Sequence, residues 1–381
     1  MRITHVITRL IVGGAQENTL ATVLGLRRIP GLKVDLISGP TTGPEGSLAS
    51  GIPDLIIVPE LVRPIHPAKD WMGLKKLERI LREQKPDVVH THSGKAGVLG
   101  RIAARRAGVP IIVHTIHGPS FGKFQGAVAN FIFCNAEKYA ARSTTHFIVV
   151  AEAMKIQYLA AGIGKPEQYT KIFSGFPLEP FLAARNDLEL RKKWGIAPDD
   201  FVIGKIARLF KLKGHDDLLA VAPELVRQNS KIKFLLIGDG EWRGRFEGMA
   251  KSQGLEKHFV FTGLIPPEDV PRYTGIMDAL VHLSLREGLP RALPQALAAG
   301  KPVVAYDCDG AREACLDGQT GFLVQPGDFA TLKNRLLQLA SDPMLCQKLG
   351  QAGQEFAREN FPVEKMVRDI YTLYMKLAAG R

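Results

Sequence analysis

Short apolar runs alternate with longer stretches whose apolar positions recur every three or four residues, and the alternation continues along the whole chain. A continuous apolar run bounded by turn formers fits a strand buried on both faces, whereas the three-to-four recurrence fits an amphipathic helix. In the first part the pattern predicts strands at 2–8, 33–38, 54–58, 87–91, 110–115 and 144–150, with helices near 14–29, 70–84, 95–108, 124–142 and 151–161. In the second part it predicts strands near 201–207, 233–238, 258–262, 278–284, 302–306 and 321–324, with helices near 214–228, 241–253, 290–299 and 328–341. The turn-rich stretch Ser174-Gly175-Phe176-Pro177-Leu178-Glu179-Pro180 marks the boundary and a hinge. Strands and helices alternating in this way belong to parallel sheets wrapped by helices, so the fold class is α/β, with doubly wound units at 1–175 and 176–360. Val363, Met366, Val367, Ile370, Leu373, Tyr374 and Leu377 form one apolar stripe, which predicts a last helix within 361–381.

The most informative stretch follows the apolar run Ala279-Leu280-Val281-His282-Leu283-Ser284. A short loop carries Glu287, a helix opens with Pro290 in its first turn and stops at Gly300, and another apolar strand follows. In a parallel sheet, ligands collect at the C-terminal ends of the strands, where helix N-termini hold phosphate. A carboxylate at that place is expected to face sugar hydroxyls rather than phosphate.

Two cations join it. Arg208 ends the strand Ile203-Gly204-Lys205-Ile206-Ala207, and Lys213 stands just before the next helix, a spacing that can hold the two phosphates of a nucleotide diphosphate and stabilise its charge as it leaves. Near the N-terminus Gly13 and Gly14 follow the first strand and start a helix, so backbone N–H groups can approach an oxyanion closely. His90, His92, His114 and His117 all sit at or just past apolar strands. Zinc is not expected there, because no carboxylate pair or H-E-x-x-H helix accompanies them and strand tips need not bring four imidazoles together.

Composition narrows the class. The 45% apolar and 23% charged residues are those of a soluble globular protein, and 381 residues exceed one ordinary core. Cys134, Cys308, Cys315 and Cys346 are scattered, which predicts neither disulfides nor a thiolate metal site and a cytoplasmic setting. No signal-peptide pattern and no run of 18 apolar residues occurs. The net charge of +12 is uneven: residues 1–175 hold 22 Lys+Arg against 12 Asp+Glu, and residues 176–381 hold 28 against 26. Lys95, Arg101, Arg105, Arg106, Lys123, Lys138 and Arg142 stand against Glu137 alone. The cluster predicts an anionic partner, a membrane or an anionic acceptor. Nucleic acid is not expected, since no recognition helix, zinc finger or aromatic RNP pattern accompanies the charge.

The Glu287 segment, the Arg208-x4-Lys213 pair, the Gly-Gly loop and His117-Gly118 resemble, in the same order along the chain, the motifs of retaining glycosyltransferases of family 4. Gln295 stands where that family's Glu-x7-Glu region has its second Glu. The resemblance implies a GT-B architecture, two Rossmann-like domains facing across a cleft, and a retaining, metal-independent transferase without a cofactor. The donor is a nucleotide diphosphate sugar and the acceptor an anionic or lipid-linked saccharide of the cell envelope. Glu287, His117, Arg208 and Lys213 are the implied catalytic residues. Gly13, Gly14, Gly288, Leu289 and Gln295 complete the donor-binding set, and Gln16, His92 and Lys95 are the acceptor-side candidates. The last helix is expected to pack back on the first domain, and the basic N-terminal domain to touch the inner face of the cytoplasmic membrane peripherally.

Other readings stay open. An epimerase or phosphorylase on the same fold would share the cations, and the Glu-to-Gln departure leaves room for an inactive nucleotide-sugar-binding subunit. Asp307-Cys308-Asp309 spells a D-x-D metal motif that belongs to a different glycosyltransferase architecture, so metal binding is not expected there. Gly238-Asp239-Gly240 is expected to be a structural turn.

Overall fold

The computed structural model describes residues 1–41, 46–122 and 124–380; Lys123 and Arg381 lie outside them. The chain divides into two compact units, Met1–Phe176 with Val363–Arg381, and Pro177–Pro362. The first holds β1 (Arg2–Ile7), β2 (Lys33–Ser38), β3 (Leu55–Ile57), β4 (Val88–His92), β5 (Ile111–Ile116), β6 (His146–Val149) and β7 (Tyr169–Lys171). Their order is β3-β2-β1-β4-β5-β6-β7, with every strand pairing parallel. The second holds β8 (Phe201–Ile206), β9 (Ile232–Ile237), β10 (Phe259–Gly263), β11 (Ala279–His282), β12 (Val303–Tyr306) and β13 (Gly321–Val324). Their order is β10-β9-β8-β11-β12-β13, again parallel. In both sheets the strand order therefore reverses next to the first strand, at β1/β4 and at β8/β11. That point is where doubly wound folds bind ligands.

The apolar runs read as strands because each feeds two cores at once. Ile3, Val34, Leu36, Val88, Ile111 and Val113 pack into one layer, while Val6, Ile37, Val89 and Ile112 pack into the opposite one. The helix Val363–Ala379 buries Met366, Val367, Ile370, Leu373 and Tyr374 and lies against the helix Gly14–Arg27 within the first unit.

Three differences from the sequence pattern have physical reasons. β7 is the three residues Tyr169, Thr170 and Lys171, which form no apolar run, unlike the equally short β3. The helix expected at 290–299 is Ala292–Ala298; Pro294 is tolerated because its missing N–H falls in the first turn, where it has no intrahelical partner. The helix Pro343–Asn360 was not foreseen, because its buried face is made of Leu349, Gly350, Gly353 and Ala357 rather than a run of large apolar residues. A Cβ on Gly350 would stand 2.1 Å from the Gly300 carbonyl oxygen, and one on Gly353 would stand 2.6 Å from Leu297 Cδ2.

That contact is testable. Gly350→Ala should destabilise the protein by about 1–3 kcal/mol, as overpacking against backbone does. Gly248→Ala, in the helix Arg243–Ser252 with open space around its Cβ, should instead stabilise by about 0.5–1 kcal/mol. Denaturant midpoints measure both, and equal shifts would mean that the close approach at Gly350 is relieved elsewhere.

Candidate active site

In the second unit, Arg208 leaves the tip of β8 exposed, with its guanidinium 5.1 Å over the Phe210 ring and no ion pair among the described residues. The loop then closes on the chain beyond β11. Gly214 has φ 68, and a Cβ there would lie 2.2 Å from the Leu283 carbonyl oxygen, so only glycine permits the closure. Leu285 N–H donates to the Leu212 carbonyl at 2.9 Å, and Lys213 reaches across to an ion pair with Glu287 and to Ser284 Oγ at 3.4 Å. Burial pushes the Glu287 carboxyl up, but Lys213, His282 and Ser284 outweigh it and hold it below the usual carboxylate range.

The Glu287 loop is fixed from behind. Its backbone N–H donates to Asp309 Oδ2 at 2.8 Å, and Gly310 N–H donates to the Gly288 carbonyl at 3.1 Å. Asp307 is paired with Arg312 at 2.6 and 2.9 Å. The two carboxylates of the D-x-D sequence thus have separate structural tasks. Leu289 is half-buried, and so is Gln295, in the second turn of the helix Ala292–Ala298. The Gly238-Asp239-Gly240 turn steadies the loop that carries Arg208, since Leu209 N–H donates to the Asp239 carbonyl at 3.0 Å.

Beneath the Lys213–Glu287 pair lies a group that the sequence reading missed. Lys205 Nζ, both ring nitrogens of His215 and His282 Nε2 are buried without hydrogen-bond partners among the described residues. His282 Nε2 stands 3.8 Å from Glu287 Oε1. Burial, aided by Lys213 and opposed by Asp217 and Glu287, pulls the Lys205 ammonium down to about 7. The signal was present in the sequence: a lysine inside a strand covered on both faces must be buried.

In the first unit, Gly13 is extended and precedes the helix Gly14–Arg27, which opens without a side-chain cap; Gly14 is exposed and Gln16 half-buried in its first turn. His117 follows β5, half-buried, and its Nε2 lies 3.1 Å from His92 Nδ1. His92 is buried, and its Nε2 lies 3.0 Å from His5 Nδ1, which places it behind His117. His90 bonds Tyr374 and Thr115, and His114 bonds Thr91. Strand tips need not bring imidazoles together, yet the structure gathers His5 and His90 with His92 and His117, and His5 was missed altogether.

Lys95 is paired with Asp70 and donates to the Pro64 carbonyl. Arg101, counted with the surface cations from sequence, is buried and bonds Glu137 at 2.5 Å. Arg105, Arg106, Lys138 and Arg142 are exposed.

The family model described as Glycosyl transferases group 1 matches residues 186–356, and that described as Glycosyltransferase Family 4 matches 12–178. The chain is 30% identical over 329 residues to the UDP-Gal:alpha-D-GlcNAc-diphosphoundecaprenol alpha-1,3-galactosyltransferase of Escherichia coli, covering 85% of this chain and 84% of that one. The chain belongs to the group 1 glycosyltransferases. This glycosyltransferase is also 26% identical over 326 residues to the capsular polysaccharide biosynthesis glycosyltransferase CapM of Staphylococcus aureus, covering 82% and 83% of the two chains. The crystal structure of Anabaena HepE in complex with UDP superposes with a TM-score of 0.82 at 23% identity, covering 99% of this glycosyltransferase and 100% of HepE. The family and the two-domain α/β fold read from the motifs are those found.

The buried Lys205 sets a pH dependence for the enzyme. Its folded pKa is depressed, so between about 7 and its unfolded value of 10.5 the unfolded chain binds a proton that the folded chain does not, and stability rises with pH across that window. The stability of wild type relative to Lys205→Met should climb by on the order of 1 kcal/mol per pH unit between about pH 7 and 9. A pH-independent difference in denaturant titrations would show that the ammonium stays charged.

Proposed function

We propose that this glycosyltransferase moves a sugar, with retention and without a metal, from a nucleotide diphosphate donor to a lipid-linked or anionic saccharide of the cell envelope. The observation that carries the reading is the Lys213–Glu287 pair at the β8/β11 reversal, with Arg208, which has no ion pair among the described residues, at the tip of β8. Arriving diphosphate takes Lys213 and Arg208 as its cations, and Glu287, released from Lys213, accepts hydrogen bonds from hydroxyls of the donor sugar. Gly288 and Leu289 line that carboxylate's loop, and Gln295 meets the ribose through a neutral amide. Leaving-group stabilisation by the two cations is the main catalytic term.

No motif supplies a nucleophilic carboxylate for a double displacement, so the acceptor attacks from the face that the diphosphate leaves, with the departing phosphate as base. His117 contacts the transferred sugar, Gly13 and Gly14 turn backbone N–H groups toward its phosphate, and Gln16 and Lys95 serve the acceptor. UDP is the favoured nucleotide, since the name of the E. coli relative specifies UDP-Gal and HepE was crystallised with UDP. The same relative acts on a diphosphoundecaprenol acceptor, which supports the lipid-linked choice.

Arg208→Ala, Lys213→Ala and His117→Ala should each lower kcat/KM, the two cation variants by roughly 10²-fold, because a lost charge-stabilising group costs about 3 kcal/mol. The product's anomeric configuration, read by NMR, should match the donor's, and EDTA should leave the rate unchanged. Wild-type kinetics in the cation variants, an inverted product, or activity restored only by Mn²⁺ would each overturn the corresponding part.

Contact with a membrane surface completes the proposal. No helix among the described residues is long and apolar enough to cross a membrane. The helix Ala127–Ala141 instead turns Val128, Phe131, Ile132 and Tyr139 outward, with Val128 74% and Phe131 70% exposed, beside exposed Ile65. Of the four phenylalanines near the basic cluster, Phe131 alone is exposed; Phe121 is core, and Phe124 and Phe133 are half-buried. Lys138 and Arg142, on and just past this helix, add about 1 kcal/mol each toward an anionic surface. Anionic liposomes should sediment the protein at low salt and neutral ones much less, and Phe131→Ser should weaken that binding. Equal sedimentation by both lipids would refute the surface.

A further inference from the structure

β1 and β4 meet where the strand order reverses, and His5 lies directly across from His90 in their register. A line of three imidazoles runs from there: His5 Nδ1 to His92 Nε2 at 3.0 Å, then His92 Nδ1 to His117 Nε2 at 3.1 Å. At the inner end, His5 Nε2 is sealed from solvent without a partner. At the outer end, His117 is half-buried and its Nδ1 has no hydrogen bond among the described residues. His90 stands beside the line, occupied by the Tyr374 hydroxyl at 2.5 Å and the Thr115 hydroxyl at 2.6 Å.

A neutral imidazole has one N–H and one lone pair, so each bond in the line dictates the next. Two arrangements satisfy both bonds: every proton on Nδ1, or every proton on Nε2. The second leaves His5 with a buried N–H that has nothing to donate to. The first leaves it with a bare lone pair, and among buried backbone groups an orphaned N–H is the rarer defect. The first arrangement wins, and it ends with a proton on His117 Nδ1.

We infer that His5 and His92 are positioning residues that hold His117 in its Nδ1–H tautomer, so that His117 presents its ligand with a hydrogen-bond donor. Burial draws the His5 ring down to about 3, the His117 ring to about 4 and the His92 ring well below its usual value, which keeps all three neutral near pH 7. A metal fits the place poorly. Ligand atoms of His5, His90 and His92 lie within 4.8 Å of one another, yet no carboxylate bonds any of these rings among the described residues, and a buried dication would stand uncompensated. Taking the ligand to be a sugar rests on the reading of His117 under the proposed function. On that reading the position accepts a hydroxyl or carbonyl oxygen and rejects an ammonium.

¹⁵N NMR of the imidazoles in the ligand-free protein at about pH 7.5 reads the tautomers directly. His117 should be protonated at Nδ1 and bare at Nε2. In His92→Leu the released ring should shift toward the Nε2–H form that free neutral histidine prefers. In His92→Asn, whose amide N–H can occupy the place of His92 Nδ1, the Nδ1–H form should return. An Nε2–H signal from His117 in wild type, or no change in His92→Leu, overturns the inference. Either result leaves the kinetic test of His117→Ala untouched, and a failure of that test leaves the tautomer measurement standing.

Discussion

Each sheet of this protein is parallel and covered by helices on both faces, and that constraint governs where chemistry can sit. A strand buried on two sides has no solvent to satisfy a polar side chain, so polar residues must find partners or collect at the strand ends. Both units place them at the reversal of strand order: His5, His90 and His92 between β1 and β4, and Lys205 and His282 between β8 and β11. The two reversals are used differently. The first holds a neutral line of hydrogen-bonded rings, and the second an ion pair above unpartnered nitrogens.

The Lys213–Glu287 pair makes the second site competitive with its own ligand. Separating a half-buried pair leaves two charges to re-satisfy, so a diphosphate must supply Lys213 with at least as much as Glu287 did. On the proposed function, charge-assisted bonds to phosphate are strong enough, and Arg208, with no ion pair among the described residues, gives the anion a first contact. On the proposed function, sugar hydroxyls then meet the freed carboxylate. The loop does not have to move for this exchange, because Asp309 and the Gly288–Gly310 bond hold the Glu287 backbone in place. The aspartate that imitates a metal ligand in sequence thus sets the geometry of the carboxylate that the proposed reaction uses.

Legibility in the sequence followed the same physics. Parallel strands were readable because covered strands are unbroken apolar runs, and β7 escaped because Tyr169, Thr170 and Lys171 are not one. The helix Pro343–Asn360 escaped because close backbone packing selects glycine, which adds nothing to an apolar pattern. Arg208, Lys213 and Glu287 were singled out by their spacing at strand ends together with the family resemblance, and the structure brings Lys213 and Glu287 into an ion pair. His5 and Lys205 were not, although each is a polar residue in a strand predicted to be buried, which demands a partner or a reason. Arg101 was misplaced for the opposite cause. Net charge counts cations without regard to depth, and the single acid of that stretch, Glu137, turned out to be its buried partner.

That pair also explains the helix Ala127–Ala141. An ordinary surface helix points its apolar stripe inward and its charges outward. Here the buried residues are Glu137 and Ala140, while Val128, Phe131, Ile132 and Tyr139 face out. Inward attachment therefore leans on the bond from Arg101 to Glu137, with Ser120 donating to the second carboxylate oxygen at 3.1 Å, more than on apolar burial. A buried pair of this kind is a weak source of net stability, yet removing one partner is costly because the other charge is stranded. The outward stripe adds nothing to the unit's own core. On the proposed function this stripe, with Lys138 and Arg142 on and just past the same helix, meets the membrane surface, so the membrane reading rests on this helix more than on the net positive charge of the N-terminal half.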